Sequence, residues 1–437
     1  MKKHSTPTTR RSLSIVAAFG AGALVLTGCS AGGSGGSDGP VALDFWSWAP
    51  NTQQLVDVWN EENPDIQVKY TDAGGGKDSS AKLLTSSRAG NAPDIAAVEY
   101  TTLPSLIVAD VPLDITEYVE DVVGNYAAGT IEQTTFDGHV FGLPQDVGPM
   151  AFIYRSDLLA EYGIAVPTTW AEFADAAAAV RAANPNAYIA SLPADQMGFY
   201  AGVATQAGSS WWSVEDGEWT VGIADEESLA VADFFQDLAD RDLISTDPIL
   251  TPEWNAKANS GDILSWPSAL WAPGVIEGVA PDTVGKWSMS PLPEWTPGDA
   301  AVAFQGGSAV IVTNNSEHPE EAAEFVKWLN ASEEGANLVL TVQNGYPAAT
   351  SGQEDARESA PPTLMPQQTD YYDLAATISA DTIPVTWGPN VNVAETTFGD
   401  VLNKAVLDGT PWRDAFISVQ DTVVADMKKT GFELTNK

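Results

Sequence analysis

Short apolar runs alternate with amphipathic segments along the part of the chain that starts at Val41. Hydrophobic residues at every second position, or throughout a short run, predict strands, and hydrophobic residues three and four apart predict helices. The pattern predicts three strand–helix pairs: a strand at 41–48 and a helix at 53–60, a strand at 66–70 and a helix at 78–88, and a strand at 94–98 and a helix at 103–108. This order favours a parallel sheet covered by helices on both faces. Ligands of such sheets bind beyond the C-terminal ends of the strands.

A second α/β series begins with the apolar run 150–155. A well-marked helix start follows, with Thr169 as the N-cap and Glu172 as its capping-box partner. The later predicted elements are a helix at 226–240, a strand near 304–312 and a helix at 320–329. A mature chain of about 400 residues is too long for one hydrophobic core and is typical of two domains.

The N-terminus is typical of an export signal. Four basic residues, all before position 12, precede the apolar run 15–26, which is too short to span a membrane as a mature helix. We predict a signal peptide over residues 1–28. The segment Leu26-Thr27-Gly28-Cys29 resembles the lipobox of bacterial lipoproteins, in which the cysteine is acylated and becomes the new N-terminus. The alternative is a free thiol after an apolar stretch, and both Sec and twin-arginine export remain open.

The residues after the signal peptide predict a lipid-anchored tether. Cys29 is the single cysteine of the chain, so the fold has no internal disulfide. Residues 29–40 are rich in Gly and Ser and behave as flexible coil, with a reach on the order of 20 Å. The pattern therefore predicts a globular body at the extracellular face of the bacterial cell membrane, attached through the lipid alone.

The chain is strongly acidic, with 59 Asp and Glu, 20 Lys and Arg, and a formal net charge of −39. The signal peptide carries four of the basic residues and no acidic residue, so the mature chain is more acidic still. Such a field disfavours binding of nucleic acid and of anionic ligands. The 15 Trp residues and the many aliphatic residues argue against disorder. The alternative explanation of the high net charge is that it only keeps the protein soluble.

Several segments are similar to the family 1 extracellular solute-binding proteins, a maltose-binding-protein-like group that serves carbohydrate ABC importers. The segments that carry the resemblance are Asn91-Ala-Pro-Asp-Ile95, Gly142-Leu-Pro-Gln-Asp-Val-Gly-Pro-Met150, Trp271-Ala-Pro-Gly274, Gly306-Gly307-Ser308 and the helix-like segment 318–328. Their order and spacing carry more weight than any one of them, and they span the chain from Val41 onward.

The resemblance implies an α/β, two-lobed periplasmic-binding-protein-like fold, in which each lobe is a mostly parallel sheet flanked by helices. One lobe would hold 41–146 and 306–349, and the other would hold 147–305 and 350–437. The ligand would lie in the cleft between the lobes, and closure of the cleft would be recognised by the transmembrane subunits of an ABC permease. We expect a monomer that carries no cofactor and no metal.

Four tryptophans are candidates for stacking on a sugar ring. Trp48 follows the first strand, and Trp271 occupies the position at which the family stacks on its ligand. Trp266 lies just before Trp271, and Trp387 lies in a turn-rich segment where the family often supplies a further platform. Each could instead be a core residue, and the sequence leaves that alternative open.

Polar candidates lie at the third strand and at the two predicted connections between lobes. Glu99 and Tyr100 follow the third strand, and Asp146 lies at the first connection, where it could accept hydroxyl hydrogen bonds or cap backbone N–H groups. Gly306 and Gly307 lie at the return connection, where they allow close approach of a ligand or unusual hinge dihedrals.

The predicted function is capture of a neutral carbohydrate, an oligosaccharide, for an ABC importer. An anchored glycoside hydrolase would need a carboxylate pair, and the chain lacks a Gly-x-Ser-x-Gly elbow, a Walker loop and a zinc-ligand pattern. A binding protein for peptides or polyamines is the other alternative, because an acidic cleft suits cations.

Overall fold

The computed structural model describes residues 39–215, 217–383 and 385–435. The predicted signal peptide, Cys29 and nearly all of the tether lie outside the described residues. None of the helices in the described ranges combines the length and the apolar character that a membrane crossing needs.

The described ranges contain both strands and helices. The strands are β1 (Val41–Ser47), β2 (Ile66–Asp72), β3 (Ile95–Glu99), β4 (Thr135–Phe136), β5 (His139–Val140), β6 (Leu143–Asp146), β7 (Met150–Arg155), β8 (Tyr188–Ala190), β9 (Trp212–Glu215), β10 (Glu218–Val221), β11 (Ile263–Ala269), β12 (Trp287–Pro291) and β13 (Ser308–Val312). The α-helices are α1 (Thr52–Glu62), α2 (Gly76–Arg88), α3 (Leu103–Val108), α4 (Thr116–Val119), α5 (Ala128–Ile131), α6 (Ser156–Tyr162), α7 (Trp170–Ala183), α8 (Met197–Gln206), α9 (Glu226–Asp240), α10 (Pro252–Ser260), α11 (Ala272–Val279), α12 (Pro319–Ala331), α13 (Glu333–Thr341), α14 (Thr350–Glu358), α15 (Tyr371–Ala380), α16 (Val391–Asp408) and α17 (Trp412–Thr430). Short 3-10 helices lie at Val123–Asn125, Glu132–Thr134 and Pro281–Thr283.

The first sheet, here called the N-terminal sheet, has the strand order β2-β1-β3-β13-β6. β1 pairs in parallel with β2 and with β3, as the first predicted strand–helix pairs require. β13 runs antiparallel to both β3 and β6, so it is the single reversed strand of this sheet.

The second sheet, here called the C-terminal sheet, has the strand order β12-β7-β11-β8. β7 runs antiparallel to β12 and β11, and β11 is parallel to β8. Each sheet therefore has one strand that opposes the others, and in each sheet it is the strand that has just arrived from the other sheet. This arrangement makes both sheets mixed, with most strands in one direction.

Two segments connect the sheets, and they lie side by side. The first crossing is 147–149, between β6 and β7, and the second crossing is 292–307, between β12 and β13. The amide of Gln305 donates to the carbonyl of Gly148 at 2.8 Å, and the amide of Met150 donates to the carbonyl of Ala303 at 3.0 Å. The lobe boundaries inferred from the sequence stay a prediction.

Aromatic packing fills the core behind each sheet. On the N-terminal sheet, Phe45 and Trp59 each place their rings 5.4 Å from the ring of Phe325. Phe325 belongs to α12, which buries the face that its sequence spacing predicts. Behind the C-terminal sheet, the ring of Trp170 lies 5.3 Å from that of Phe235 on α9.

The predicted start of α7 is confirmed with one change in detail. The hydroxyl of Thr169 accepts a hydrogen bond from the amide of Glu172 at 3.1 Å, as an N-cap does. The carboxylate of Glu172 accepts from the amide of Thr168 at 2.8 Å, one residue before the N-cap amide that the capping box uses.

Candidate ligand-binding site

A cavity of about 350 Å³ lies where the two crossings meet the sheets. Its walls come from the C-terminal ends of β3 and β6, the start of β13, and α11 of the opposite side. This is the edge at which open α/β sheets bind their ligands. Another cavity, of about 280 Å³, lies beside α9 and α16, and none of the residues predicted for the site lines it.

The structure brings six of the residues predicted for the site together around the first cavity. These lining residues are Trp48, Glu99, Asp146, Trp271, Gly306 and Gly307. They come from segments that are far apart in the sequence. Trp271 was selected for its position in the family resemblance, and the other five were selected because they end or follow a strand or lie in a predicted connection. Their role as ligand contacts stays a prediction.

Trp271 is a half-buried residue that presents its indole to the cavity at the start of α11. Its Nε1 donates to the carbonyl of Gln305, on the second crossing, at 2.8 Å. Its ring meets the ring of Trp266 edge-on, with centroids 5.5 Å apart. A Cβ at Gly306 would lie 3.3 Å from Nε1 of Trp271. The indole therefore lies directly against the second crossing.

Asp146 ends β6 and joins the two crossings. Its Oδ1 accepts hydrogen bonds from the amide of Ser308 at 2.9 Å and from the Ser308 hydroxyl. Burial raises the pKa of the Asp146 carboxyl, and the two hydrogen bonds from Ser308 oppose this rise. The carboxylate thus acts as the predicted cap for backbone N–H groups, while it also lines the cavity.

Tyr100 does not line this cavity, contrary to its selection as a contact. Its side chain is buried, and its hydroxyl donates to the carbonyl of Asp146 at 2.9 Å. Gly307 has a φ of 90°, and a Cβ there would lie 2.7 Å from the Tyr100 ring. Tyr100 therefore packs against Asp146 and against Gly307 of the second crossing. A glycine is required at 307 because of both its positive φ and its lack of a side chain.

Trp266 and Trp387 also lie in the core and not on the cavity. Trp266 is 3% exposed and packs between Trp254 and Trp271, because β11 is buried along its whole length. Trp387 is 6% exposed, and its ring lies 6.2 Å from that of Trp212. The structure therefore does not bring Tyr100, Trp266 and Trp387 to the lining of this cavity.

Sequence reasoning missed several polar residues of the lining. They are Gln145, Ser308, Gln343 and Asn344. Gln145 and Ser308 adjoin residues that were selected, so extending each motif by one position would have found them. Asn344 follows α13 with a φ of 55°, and the Asn-Gly pair at 344–345 is a turn signal that points to an exposed loop.

The charge of the lining is negative. Glu99 and Asp146 are its ionisable residues, and among the described residues around the cavity there is no Lys, Arg or His. Apolar surface comes from Trp48, Trp271 and Val275, while amides and a hydroxyl supply neutral polar groups. The site thus pairs aromatic faces with hydrogen-bonding groups, and the described residues of its lining supply no cation for an anionic ligand.

Comparison with known proteins identifies the family of this chain. The family profile described as bacterial extracellular solute-binding protein matches residues 46–336. The arabinooligosaccharide-binding protein of Halalkalibacterium halodurans is 27% identical over 322 residues, which cover 70% of this chain and 71% of the relative.

Solved structures of similar fold are also known. The galacto-N-biose-/lacto-N-biose I-binding protein of the ABC transporter from Bifidobacterium longum, in complex with lacto-N-biose, has a TM-score of 0.83 and 29% identity, covering 92% of this chain and 100% of that one. A binding protein of B. animalis subsp. lactis in complex with β-1,6-galactobiose has a TM-score of 0.83 at 24% identity, covering 91% and 100%. These likenesses confirm the two-lobed α/β fold. Because the profile covers more than half of the chain and the fold agrees with it, the chain belongs to the bacterial extracellular solute-binding proteins.

Proposed function

We propose that this protein captures a neutral oligosaccharide in the cavity between its lobes and delivers it to the transmembrane subunits of an ABC importer. The observation that carries the proposal is the lining itself, where aromatic faces meet carboxylates and amides and where no basic residue occurs among those that the structure describes. The C–H faces of a sugar pack on aromatic rings, and its hydroxyls need polar partners in a largely desolvated site.

Asp146 and Trp271 have complementary parts in this binding. Trp271 offers its indole face to a sugar ring from the side of α11. Asp146 holds Ser308 through Oδ1, so Oδ2 is the oxygen that accepts from a sugar hydroxyl. Hydrogen bonds to a carboxylate are stronger than those between neutral groups.

The relatives support a carbohydrate ligand. The protein of H. halodurans is named for arabinooligosaccharides, and the protein of B. longum was solved with lacto-N-biose. A Rhizobium radiobacter relative, 22% identical over 438 residues, is named for lactose. These ligands are all neutral sugars, in agreement with the charge of the lining.

Transport requires closure about the crossings, and no chemical step. A ligand that contacts both lobes favours their closed arrangement, and the permease recognises that arrangement. The protein acts as a monomer without cofactor, and acylated Cys29 holds it at the extracellular face of the membrane through the tether at 29–40.

Calorimetry and thermal shift on the mature protein test this function. The panel is lacto-N-biose, β-1,6-galactobiose, lactose, maltose and an arabinooligosaccharide. A sugar at a hundredfold excess over its Kd stabilises the fold by about 2.7 kcal/mol, and it should be recovered intact.

Other outcomes would redirect the assignment. Cleavage of a panel sugar by the pure protein would favour a hydrolase that uses the two carboxylates of the lining, Glu99 and Asp146. A response to spermidine or to a cationic peptide, with none to the sugars, would favour the cation-binding alternative.

A further inference from the structure

The strand that carries Asp146 is interrupted by a β-bulge. Ser308 pairs with Asp146, but the next residue of β13, Ala309, pairs with Pro144, so Gln145 has no partner on β13. Successive side chains of a regular strand point to opposite faces, whereas a bulge turns a side chain towards a new direction. Gln145 and Asp146 therefore both line the cavity although they are neighbours in the chain.

The amide of Gln145 is buried without a partner. The residue is 3% exposed, and its Nε2 has no hydrogen-bond partner among the described residues. Buried polar groups of native proteins nearly always have a partner, because an unpaired buried donor is destabilising. The lining thus includes a residue whose amide donor has no partner within the part of the chain that the structure describes.

The two carboxylates of the lining cannot satisfy all the hydrogen bonds of a sugar hydroxyl. Glu99 and Asp146 accept hydrogen bonds when ionised and do not donate them. A hydroxyl that donates a hydrogen bond to a carboxylate still has lone pairs that can accept a hydrogen bond from a donor. Gln145 carries two N–H groups on a buried amide, it is the neighbour of Asp146 in the chain, and both residues line the same cavity.

We propose that Gln145 is a specificity-determining residue. It donates a hydrogen bond to a ligand hydroxyl, and the same hydroxyl donates a hydrogen bond to the neighbouring carboxylate of Asp146. The proposal rests on the proposed function, since it requires a hydroxylated ligand in this cavity. It implies that the site selects sugars with a hydroxyl at that position over the corresponding deoxy sugars.

Gln145→Met tests the proposal, because Met keeps the length of the side chain and removes the donor. Gln305→Met is the matched control. Gln305 is also buried, at 7% exposure, and its Oε1 also lacks a partner among the described residues, but it does not line the cavity. The readouts are affinity for the panel sugar that binds the wild type, affinity for its monodeoxy derivatives, and the melting temperature without ligand.

We expect Gln145→Met to lower the affinity about tenfold to a hundredfold, without lowering the melting temperature of the unliganded protein. The wild type should discriminate against one monodeoxy derivative, and Gln145→Met should not. Gln145→Glu, which keeps the shape and loses the donors, should bind at least as weakly. Gln305→Met should bind like the wild type.

Two results would overturn the role of Gln145 while leaving the proposed function intact. One is wild-type affinity in Gln145→Met, and the other is an equal loss in Gln305→Met. Failure of the wild type to bind any panel sugar would refute the proposed function and this proposal together.

Discussion

Replacement of Trp271 by Ala separates a ligand contact from a core residue. Without ligand, the change removes the hydrogen bond to the Gln305 carbonyl and the edge-on contact with Trp266. Each interaction contributes about 0.5–1.5 kcal/mol. We therefore expect the free energy of unfolding to fall by about 1–3 kcal/mol, less than the 3–5 kcal/mol typical of a fully buried Trp.

Trp271→Ala should also lower the affinity for the ligand. An aromatic anchor in a desolvated pocket contributes about 2 kcal/mol or more, which corresponds to roughly a thirtyfold change in affinity. Trp271→Phe restores a ring face but not the Nε1 donor, so it should recover part of the affinity without recovering the hydrogen bond to the second crossing.

The assay pairs urea unfolding of the unliganded protein with calorimetric titration of the panel sugar that binds. Trp266→Ala is the matched control, because Trp266 touches Trp271 and does not line the cavity. It should lose about 3–5 kcal/mol of stability. If Trp271→Ala loses as much stability as Trp266→Ala and keeps its affinity, the indole is a core group and the stacking role is refuted.

Three further predictions concern Asp146, Gly307 and Cys29. Because burial raises the pKa of Asp146, the stability of the wild type falls as the pH rises from the ordinary Asp range through the raised pKa. The free energy of unfolding of Asp146→Asn should therefore increase relative to that of the wild type over this range, as measured by urea titrations at several pH values. A difference between the two proteins that does not change with pH would contradict burial of the carboxyl. The same variant should lose about tenfold to a hundredfold in affinity by calorimetry. Gly307→Ala should lower the free energy of unfolding by about 1–3 kcal/mol, because residue 307 has a φ of 90° and the new Cβ would meet the ring of Tyr100. The loss should exceed that of Gly90→Ala, where φ is 71° and a Cβ would have no atom within 4 Å. Equal losses of the two variants in thermal melting would show that the ring contact is unimportant. Cys29→Ala should leave the membrane fraction, and incorporation of labelled fatty acid by that variant would disprove the lipoprotein assignment.

Elements with a long, regular hydrophobic pattern could be predicted from the sequence. The helices at 103–108 and 226–240 have the predicted bounds. Residues of the cavity lining could be predicted where their position in the chain decides their location, because loops after parallel strands gather at one edge of a sheet. Trp48 and Glu99 are residues of this kind.

Other features depend on contacts that no local pattern records. β11 is buried at every position, so its sequence has no alternation that could place Trp266 in the core or in the cleft. Trp387 is covered by Trp212, which is remote in the sequence. The bulge at Gln145 depends on pairing with β13, and without it strand alternation argues against two neighbouring side chains in one cavity.

Two residues that line the cavity, Trp271 and Asp146, also contact the second crossing or the strand that follows it, and we propose that these contacts couple binding to closure. Trp271 bonds to the second crossing, and Asp146 holds Ser308 at its end. A ligand shifts an equilibrium only by its difference in affinity between two states, and a change from 1:99 to 99:1 requires about 5.5 kcal/mol. An aromatic anchor and one charge-assisted hydrogen bond together give about 4–5 kcal/mol. If the proposed function holds, we expect a sugar to favour the closed arrangement most strongly when it contacts Trp271 and Asp146 together.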